Sequence, residues 1–283
     1  MLRIALPNKG SLSQASWDLL SEAGYKQKRD SRKLVLVDKD NDVEFFFIRP
    51  RDVAVYVGAG TVDAGITGRD LLLDSGALAI EHLPLGFARS TFRFAAPAKA
   101  GFRDIKDVQN KRIATSFDRV VARFLEEHNI EAKDIVHLDG AVESSVELGV
   151  ADVIADVVET GSTLRAAGLE VFGEELLSSE AILIRRNIPE LPQGLERLTR
   201  RIQGVLVARQ YVMCDYDCPE AVLNEAIKLT PGLQSPTVSP LHENGWFAVR
   251  AMVKKTEINT TMDALDTLGA KAIIATPILT CRI

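Results

Sequence analysis

The sequence predicts an α/β fold of two related lobes facing a cleft, followed by a smaller domain of mixed strands and helices. Three observations predict it. Strand-like apolar runs alternate with helical patterns along most of the chain. A Gly-x-x-Asp segment leading into a strand occurs twice, at residues 60–66 and 149–155. From residue 205 onward the rhythm changes to strand, helix, two strands, helix, strand.

Residues 2–6 read as a buried strand followed by the turn Pro7-Asn8-Lys9-Gly10. Ser11 is a good N-cap for a helix that reaches about Ala23, and Gly24 ends it. Residues 43–48 (Val-Glu-Phe-Phe-Phe-Ile) form the next strand, and Arg49-Pro50-Arg51-Asp52 opens a helix with Asp52 in its first turn. Residues 62–67 are a third strand, from which Gly68-Arg69-Asp70 leads into another helix. Alternation of this kind points to much parallel sheet, whose ligands sit beyond the carboxyl ends of the strands. Lys9, Arg49, Arg69 and Asp70 all fall at such ends.

The second lobe starts near Thr91. Residues 92–97 read as a crossover strand, 112–115 as a short strand, 120–128 as a helix and 135–138 as a strand. Residues 181–185 form a strand returning to the first lobe, 189–192 a loop, and 194–203 an amphipathic helix. The C-terminal part reads as strand 205–214, helix 219–229 with Pro219 in its first turn, strand 237–241, an Asn-Gly turn at 242–245, strand 246–253, helix 257–268 stopped by Gly269, and strand 271–275. That βαββαβ order is ferredoxin-like. The expected division is 1–90 with 184–204 as lobe I, 91–183 as lobe II carrying a phosphate loop, and 205–283 as the ferredoxin-like domain.

A formal net charge of -5 implies no general affinity for nucleic acid, so attraction for an anion must be local. Three cysteines, Cys214, Cys218 and Cys281, are too few and too odd for a disulfide framework and suit a reducing compartment. No Cys/His cluster accompanies them, which argues against structural zinc. The first apolar run is short and interrupted by Pro7, and no stretch approaches the roughly 20 apolar residues of a membrane span, so a cytoplasmic protein is expected.

The segment 149–164 carries the most chemistry. An apolar run ends in Glu159-Thr160-Gly161-Ser162-Thr163, and a helical pattern follows. A strand feeding a hydroxyl-rich turn at a helix start presents backbone N–H groups to phosphate. Gly161 permits close approach or positive φ, Thr160, Ser162 and Thr163 add donors, and Asp156 at the strand end suits ribose hydroxyls. The alternative is that Thr160 or Ser162 merely caps a helix. Basic loops on the opposite lobe favour the phosphate. Lys9 sits in a Gly-containing turn, although a lone lysine is usually a solvated surface group. Arg49 stands rigidly between a Phe run and Pro50, as a fork for phosphate or carboxylate. Asp70 suits a base or ribose, or else the first turn of a helix, and Glu143 lies in another Gly turn opening a helix, where a first-turn acid is the alternative. Neither a P-loop nor a Rossmann fingerprint is present.

Assembled, these residues resemble the ATP phosphoribosyltransferase family in its long form. The resemblance rests on residues 2–12, 45–50, 65–70, 139–143, 148–164 and 230–240 and covers essentially the whole chain. One departure is Ala88-Arg89 after Gly86-Phe87, where the family more often has Gly. The resemblance implies a bilobal core similar to type II periplasmic binding proteins, a ferredoxin-like regulatory domain, magnesium dependence, and a homohexamer in exchange with dimers. It implies condensation of ATP with 5-phosphoribosyl 1-pyrophosphate (PRPP), the first step of histidine biosynthesis, with feedback inhibition by histidine. The 5-phosphate of PRPP is then expected on Thr160, Gly161, Ser162 and Thr163, with Asp156 and Glu159 near the ribose. Lys9, Arg49, Asp70 and Glu143 are expected around ATP or pyrophosphate, Lys9 with a catalytic role. Histidine is expected near Asp217, Leu233, Ser235, Thr237 and Ala272, with Asp217 pairing its ammonium.

The nucleophile, an adenine ring nitrogen, already carries a lone pair. Catalysis then needs alignment and charge stabilisation rather than a strong base. The rival readings are a cytosolic bilobal solute-binding or effector-sensing protein without catalysis, and a regulatory protein that depends on its C-terminal domain. The first explains the cleft and the anion loops but lacks the helix-turn-helix segment or secretion signal that usually accompanies it, and the second leaves the detailed first-lobe loops unexplained.

Overall fold

The computed structural model describes residues 1–25, 34–158 and 161–282. The chain divides into two compact units, residues 1–18 with 26–196 and residues 19–25 with 197–283.

The first unit begins with β1 (Leu2–Pro7), α1 (Ser11–Glu22), β2 (Val35–Asp38), β3 (Val43–Ile48), α2 (Pro50–Gly58), β4 (Ala64–Gly68), α3 (Arg69–Ser75) and β5 (Ala79–Pro84). It continues with β6 (Ser90–Pro97), β7 (Arg112–Thr115), α4 (Asp118–Glu127), β8 (Asp134–His137), α5 (Ser144–Glu147) and β9 (Val153–Val158). The elements α6 (Ser162–Ala166), β10 (Leu169–Ser179) and β11 (Ala181–Arg186) complete its sheets. Among the described residues, six strands form one sheet in the order β2-β3-β1-β4-β11-β5 and five form another in the order β10-β6-β9-β7-β8. In the first sheet β3, β1 and β4 run parallel with antiparallel strands on both sides. In the second β9, β7 and β8 run parallel, with β8 at the edge and antiparallel β6 and β10 on the other side.

Two chain passages join the sheets, one from β5 to β6 and one from β10 to β11. They lie side by side: Leu85 N–H donates to Ala181 O at 2.9 Å and Ala181 N–H to Phe87 O at 2.9 Å. Two mixed α/β layers joined in this way are the bilobal architecture expected.

The two Gly-x-x-Asp segments do the same work in the two layers. Asp63 Oδ2 accepts from the Arg3 N–H at 2.8 Å, and Asp152 Oδ2 accepts from the Arg112 N–H at 2.9 Å. In each case the aspartate N–H also donates to the carbonyl of the same arginine, at 2.9 Å. The arginine begins the neighbouring strand and its guanidinium returns to a carbonyl in the Gly segment, Thr61 or Gly149. Each pair therefore sets the register of a central parallel strand.

Apolar side chains close each layer. Trp17 of α1 stacks on Phe47 at 4.8 Å between centroids, against the face of β3 that also presents Phe45. In the second layer Phe92, Phe94, Phe117, Phe124 and Phe172 form one buried cluster.

The second unit carries α7 (Leu195–Gln210), β12 (Tyr211–Pro219), α8 (Leu223–Leu229), β13 (Thr237–Pro240), β14 (Trp246–Lys254), α9 (Ile258–Thr267) and β15 (Lys271–Pro277). Its sheet is antiparallel, in the order β13-β14-β12-β15. Cys214, Tyr216, Val249 and Val253 pack with Ala226 of α8 and Leu265 of α9, so the helices cover one face. This is the ferredoxin-like arrangement expected.

Residues 205–210 belong to α7, not to the strand expected over 205–214. The run Val205-Leu206-Val207 favours a strand locally. However, Leu198, Ile202, Val205 and Ala208 are all buried at helical spacing, and that packing overrides the local preference. The strands β2, β5 and β10 carried no expectation. Two of them, β5 and β10, are half-exposed without clean alternation. The third, β2, is a short edge strand.

Candidate active site

A cavity of about 720 Å³ opens between the two layers of the first unit. The strand ends of the first layer supply its cations. Lys9 follows β1, and Arg49 follows β3 at the N-cap of α2; both are exposed and line the cavity. Pro50 at the first helical position fixes the turn, and Thr67 Oγ1 of β4 donates to the Pro50 carbonyl at 2.9 Å. That bond anchors the start of α2 to the neighbouring strand.

Asp70 lies buried in the first turn of α3 and lines the same cavity. Ser179 Oγ donates to Asp70 Oδ1 at 2.9 Å and accepts from the Asp70 N–H at 3.1 Å. Burial pushes the Asp70 carboxyl above the usual carboxylate range, against the Ser179 hydrogen bond, backbone N–H donors and the charge of Arg51. Gly68 beside it leaves no room for a β-carbon, which would collide with Asp70 Oδ1. Arg69, one residue earlier, is not among the groups lining the cavity. It forms a fork on Glu81 at 2.8 Å and a contact to Glu180 at 3.2 Å, and these carboxylates hold its guanidinium firmly charged.

In the second layer, Asp156, Glu143, Gly161, Ser162 and Thr163 are not among the residues that line the cavity. Asp156, near the end of β9, accepts from the Val157 N–H at 2.7 Å. Burial raises its carboxyl most, opposed by that N–H; the charges of Glu143 and Asp70 raise it further and that of Arg51 lowers it. Four side chains named by separate loops, Asp70, Arg51, Asp156 and Glu143, thus share one electrostatic neighbourhood. Asp139 lines the cavity, and His137 bridges it to Asp118. The Asp118 hydrogen bond and charge, followed by Asp139, raise His137 above the ordinary imidazole range.

Gly161 is at φ +68 and caps α6, whose first residues, Ser162 and Thr163, are exposed. The positive φ is the freedom expected of this glycine. Glu159 and Thr160 lie outside the described residues. Ala88, where the family pattern more often has Gly, lines the cavity at φ +50.

Among the lining groups that sequence reasoning missed are Arg51, Ser179 and Phe117. Arg51 stands two residues after Arg49, and its place in a helical first turn concealed it. Ser179 joins the site from a strand 109 residues beyond Asp70, with no local signal. Phe117 reads as core, yet it borders the cavity and carries the Arg51 guanidinium 4.6 Å above its ring centroid.

In the second unit, a cavity of about 340 Å³ lies on the sheet face opposite the helices. Asp217, Thr237 and Ala272 line it together, beside Asp215 and Arg250. Leu233 and Ser235 precede β13 and are not among its lining residues. Ala272 takes φ +51, where the pairing of β12 with β15 shifts register between Asp215 and Asp217.

Among the described residues no three His, Cys, Asp or Glu side chains gather as a resident metal cage would require. A magnesium ion carried on substrate phosphates would need only one or two protein carboxylates to complete its shell. Among the described residues, no helix is long and apolar enough to cross a membrane.

The class so defined is a two-layered α/β core with a cavity lined by Lys9, Arg49 and Arg51 between its layers, together with a ferredoxin-like domain. A family profile described as ATP phosphoribosyltransferase (HisG) matches residues 49–204, and one described as the HisG C-terminal domain matches residues 208–280. An ATP phosphoribosyltransferase of Arthrobacter sp. (strain FB24) is 60% identical, with 100% of each chain covered. That of Streptomyces coelicolor is 58% identical over the same full coverage. A solved chain, from the ATP phosphoribosyl transferase (HisG:HisZ) complex of Thermotoga maritima, superposes with a TM-score of 0.61 at 29% identity, covering 72% of this chain and 99% of that one. The chain belongs to the ATP phosphoribosyltransferase family, in its long form. It is a pentosyltransferase of histidine biosynthesis that condenses ATP with PRPP, releasing pyrophosphate.

Proposed function

We propose that this reaction takes place in the cavity between the two layers, with the phosphoribosyl group against the β9–α6 side and ATP against the cations of the first layer. The observation that carries the reading is Arg51, which lines the cavity from the first layer and stacks 4.6 Å from the ring centroid of Phe117, a lining residue of the second. Groups from separate loops therefore meet around one small volume.

Gly161, Ser162 and Thr163 offer N–H and hydroxyl donors to the 5-phosphate, with Thr160 completing the loop. Asp156 or Glu159 faces the ribose and stabilises the positive charge that develops as the anomeric bond to pyrophosphate lengthens. An adenine ring nitrogen forms the new bond to the anomeric carbon, and the pair of electrons leaves with pyrophosphate. Lys9 and Arg49 offset the negative charge growing on that leaving group, while Asp70 and Glu143 orient the nucleoside. Bound magnesium would supply further neutralisation of pyrophosphate. Orientation of two reactants in this way is worth about 7–11 kcal/mol of barrier.

Thr163→Ala tests the loop. Loss of one neutral hydroxyl donor is expected to raise the KM for PRPP roughly two- to tenfold and leave that for ATP unchanged. Unchanged PRPP kinetics would remove the phosphate from this loop.

The second cavity suits histidine as a feedback inhibitor, with Asp217 taking its ammonium and Thr237 and Ala272 shaping the pocket. Assembly as a hexamer in exchange with dimers, lobe boundaries at residues 90, 184 and 204, and a cytoplasmic location complete the reading. The three free cysteines fit a reducing compartment.

A further inference from the structure

We propose that Asp74 is a positioning residue that holds Arg51 in the catalytic cleft and ties it to the opposite layer. The inference rests on the reading of the cleft given above and names a residue outside the cavity wall.

Asp74 stands in the last turn of α3, with its side chain only 14% exposed. Its two oxygens have separate partners. Oδ2 accepts from Arg51 Nη1 at 3.3 Å, within the first layer. Oδ1 accepts from the N–H of Arg119 at 3.0 Å and of Val120 at 3.4 Å, both in the first turn of α4 in the second layer. Phe117, the N-cap residue of α4, supplies no side-chain cap of its own. A carboxylate from one layer therefore closes the helix start of the other.

Arg51 crosses in the same direction, because Phe117, on which it stacks, belongs to the second layer. Arg119 crosses back and donates to the Ser75 carbonyl at 3.2 Å. Its guanidinium fills the space beside Gly76, where a β-carbon would collide with it. An arginine on a long stem loses considerable freedom when it must meet a phosphate. Here the carboxylate on one side and the ring on the other fix the guanidinium before substrate arrives.

The two duties of Asp74 separate chemically. Asparagine keeps an oxygen for the α4 N–H groups and is an equally good helix cap, but it brings no charge to Arg51. In Asp74→Asn the KM for the phosphate-bearing substrates is expected to rise roughly tenfold, with kcat changed less and the melting temperature held. Arg51→Ala should raise the same KM, and adding Asp74→Asn to it should have no further effect. Arg51→Lys repeats the test from the other partner, since it keeps the charge but loses the planar fork and the stacking. Parent KM values in Asp74→Asn, with a raised KM in Arg51→Ala, would overturn the positioning role alone. So would an effect of Asp74→Asn that persists in the Arg51→Ala background. Parent kinetics in Arg51→Ala would overturn the placing of Arg51 in the cleft, and the role of Asp74 with it.

Discussion

A methyl group at Gly68 would fall on Oδ1 of Asp70, the oxygen that Ser179 holds. The carboxylate would have to rotate, lose the serine and present another face to the ligand. Gly68→Ala is therefore expected to lower kcat/KM by about tenfold or more, while overpacking of this kind costs about 1–3 kcal/mol of stability. Steady-state kinetics alongside thermal melting would separate the two effects, and parent-like kinetics would show that Asp70 does not need this oxygen where it is. Lys9, Arg49 and Asp70 were legible in the sequence because each follows a strand that apolar patterning alone reveals. Ser179 was not, since nothing in a serine at the end of a half-exposed strand announces a partner in another layer. The positive φ of Gly161 was legible for a different reason: a glycine between hydroxyl residues at a strand-to-helix turn suits the left-handed region.

At the scale of elements, the register of the second sheet depends on the Arg112–Asp152 pair, joined by two side-chain bonds and one from the backbone N–H. The Arg112 side chain, then its backbone N–H, draws the Asp152 carboxyl down to about 2. A depressed carboxyl adds stability above its unfolded value, near 4 for an aspartate. That stability is lost as pH falls through the folded value. Asp152→Asn is thus expected to melt below the parent at neutral pH, and the gap should close as the pH is lowered from about 4 to about 2. A gap independent of pH would mean that the pair acts through shape alone. The Gly-x-x-Asp repeat was visible in sequence as a short pattern leading into each strand, whereas its arginine partners, 60 and 40 residues away, left no local signal. The end of α7 was misread because burial at residues 198, 202, 205 and 208 depends on what the helix packs against, which no short window contains.

At the scale of the whole molecule, the sites proposed for catalysis and inhibition lie in different units, so an inhibitor that binds one must change turnover in the other. Asp217→Asn removes the charge proposed to meet the ammonium of histidine. The histidine concentration for half-inhibition is expected to rise roughly tenfold, read as the ratio of inhibited to uninhibited turnover. Inhibition at parent concentrations would place the effector elsewhere. The division into a core and a ferredoxin-like domain was legible as a change of rhythm near residue 205, although the chain turns to strand only at Tyr211. The paired passages between the two layers, bonded through Leu85, Ala181 and Phe87, form a double strap. A single strap would let one layer swivel and slide against the other. Two straps laced together leave one soft coordinate, a bend, so a ligand entering the gap has little orientational freedom to remove before the two halves of its site meet.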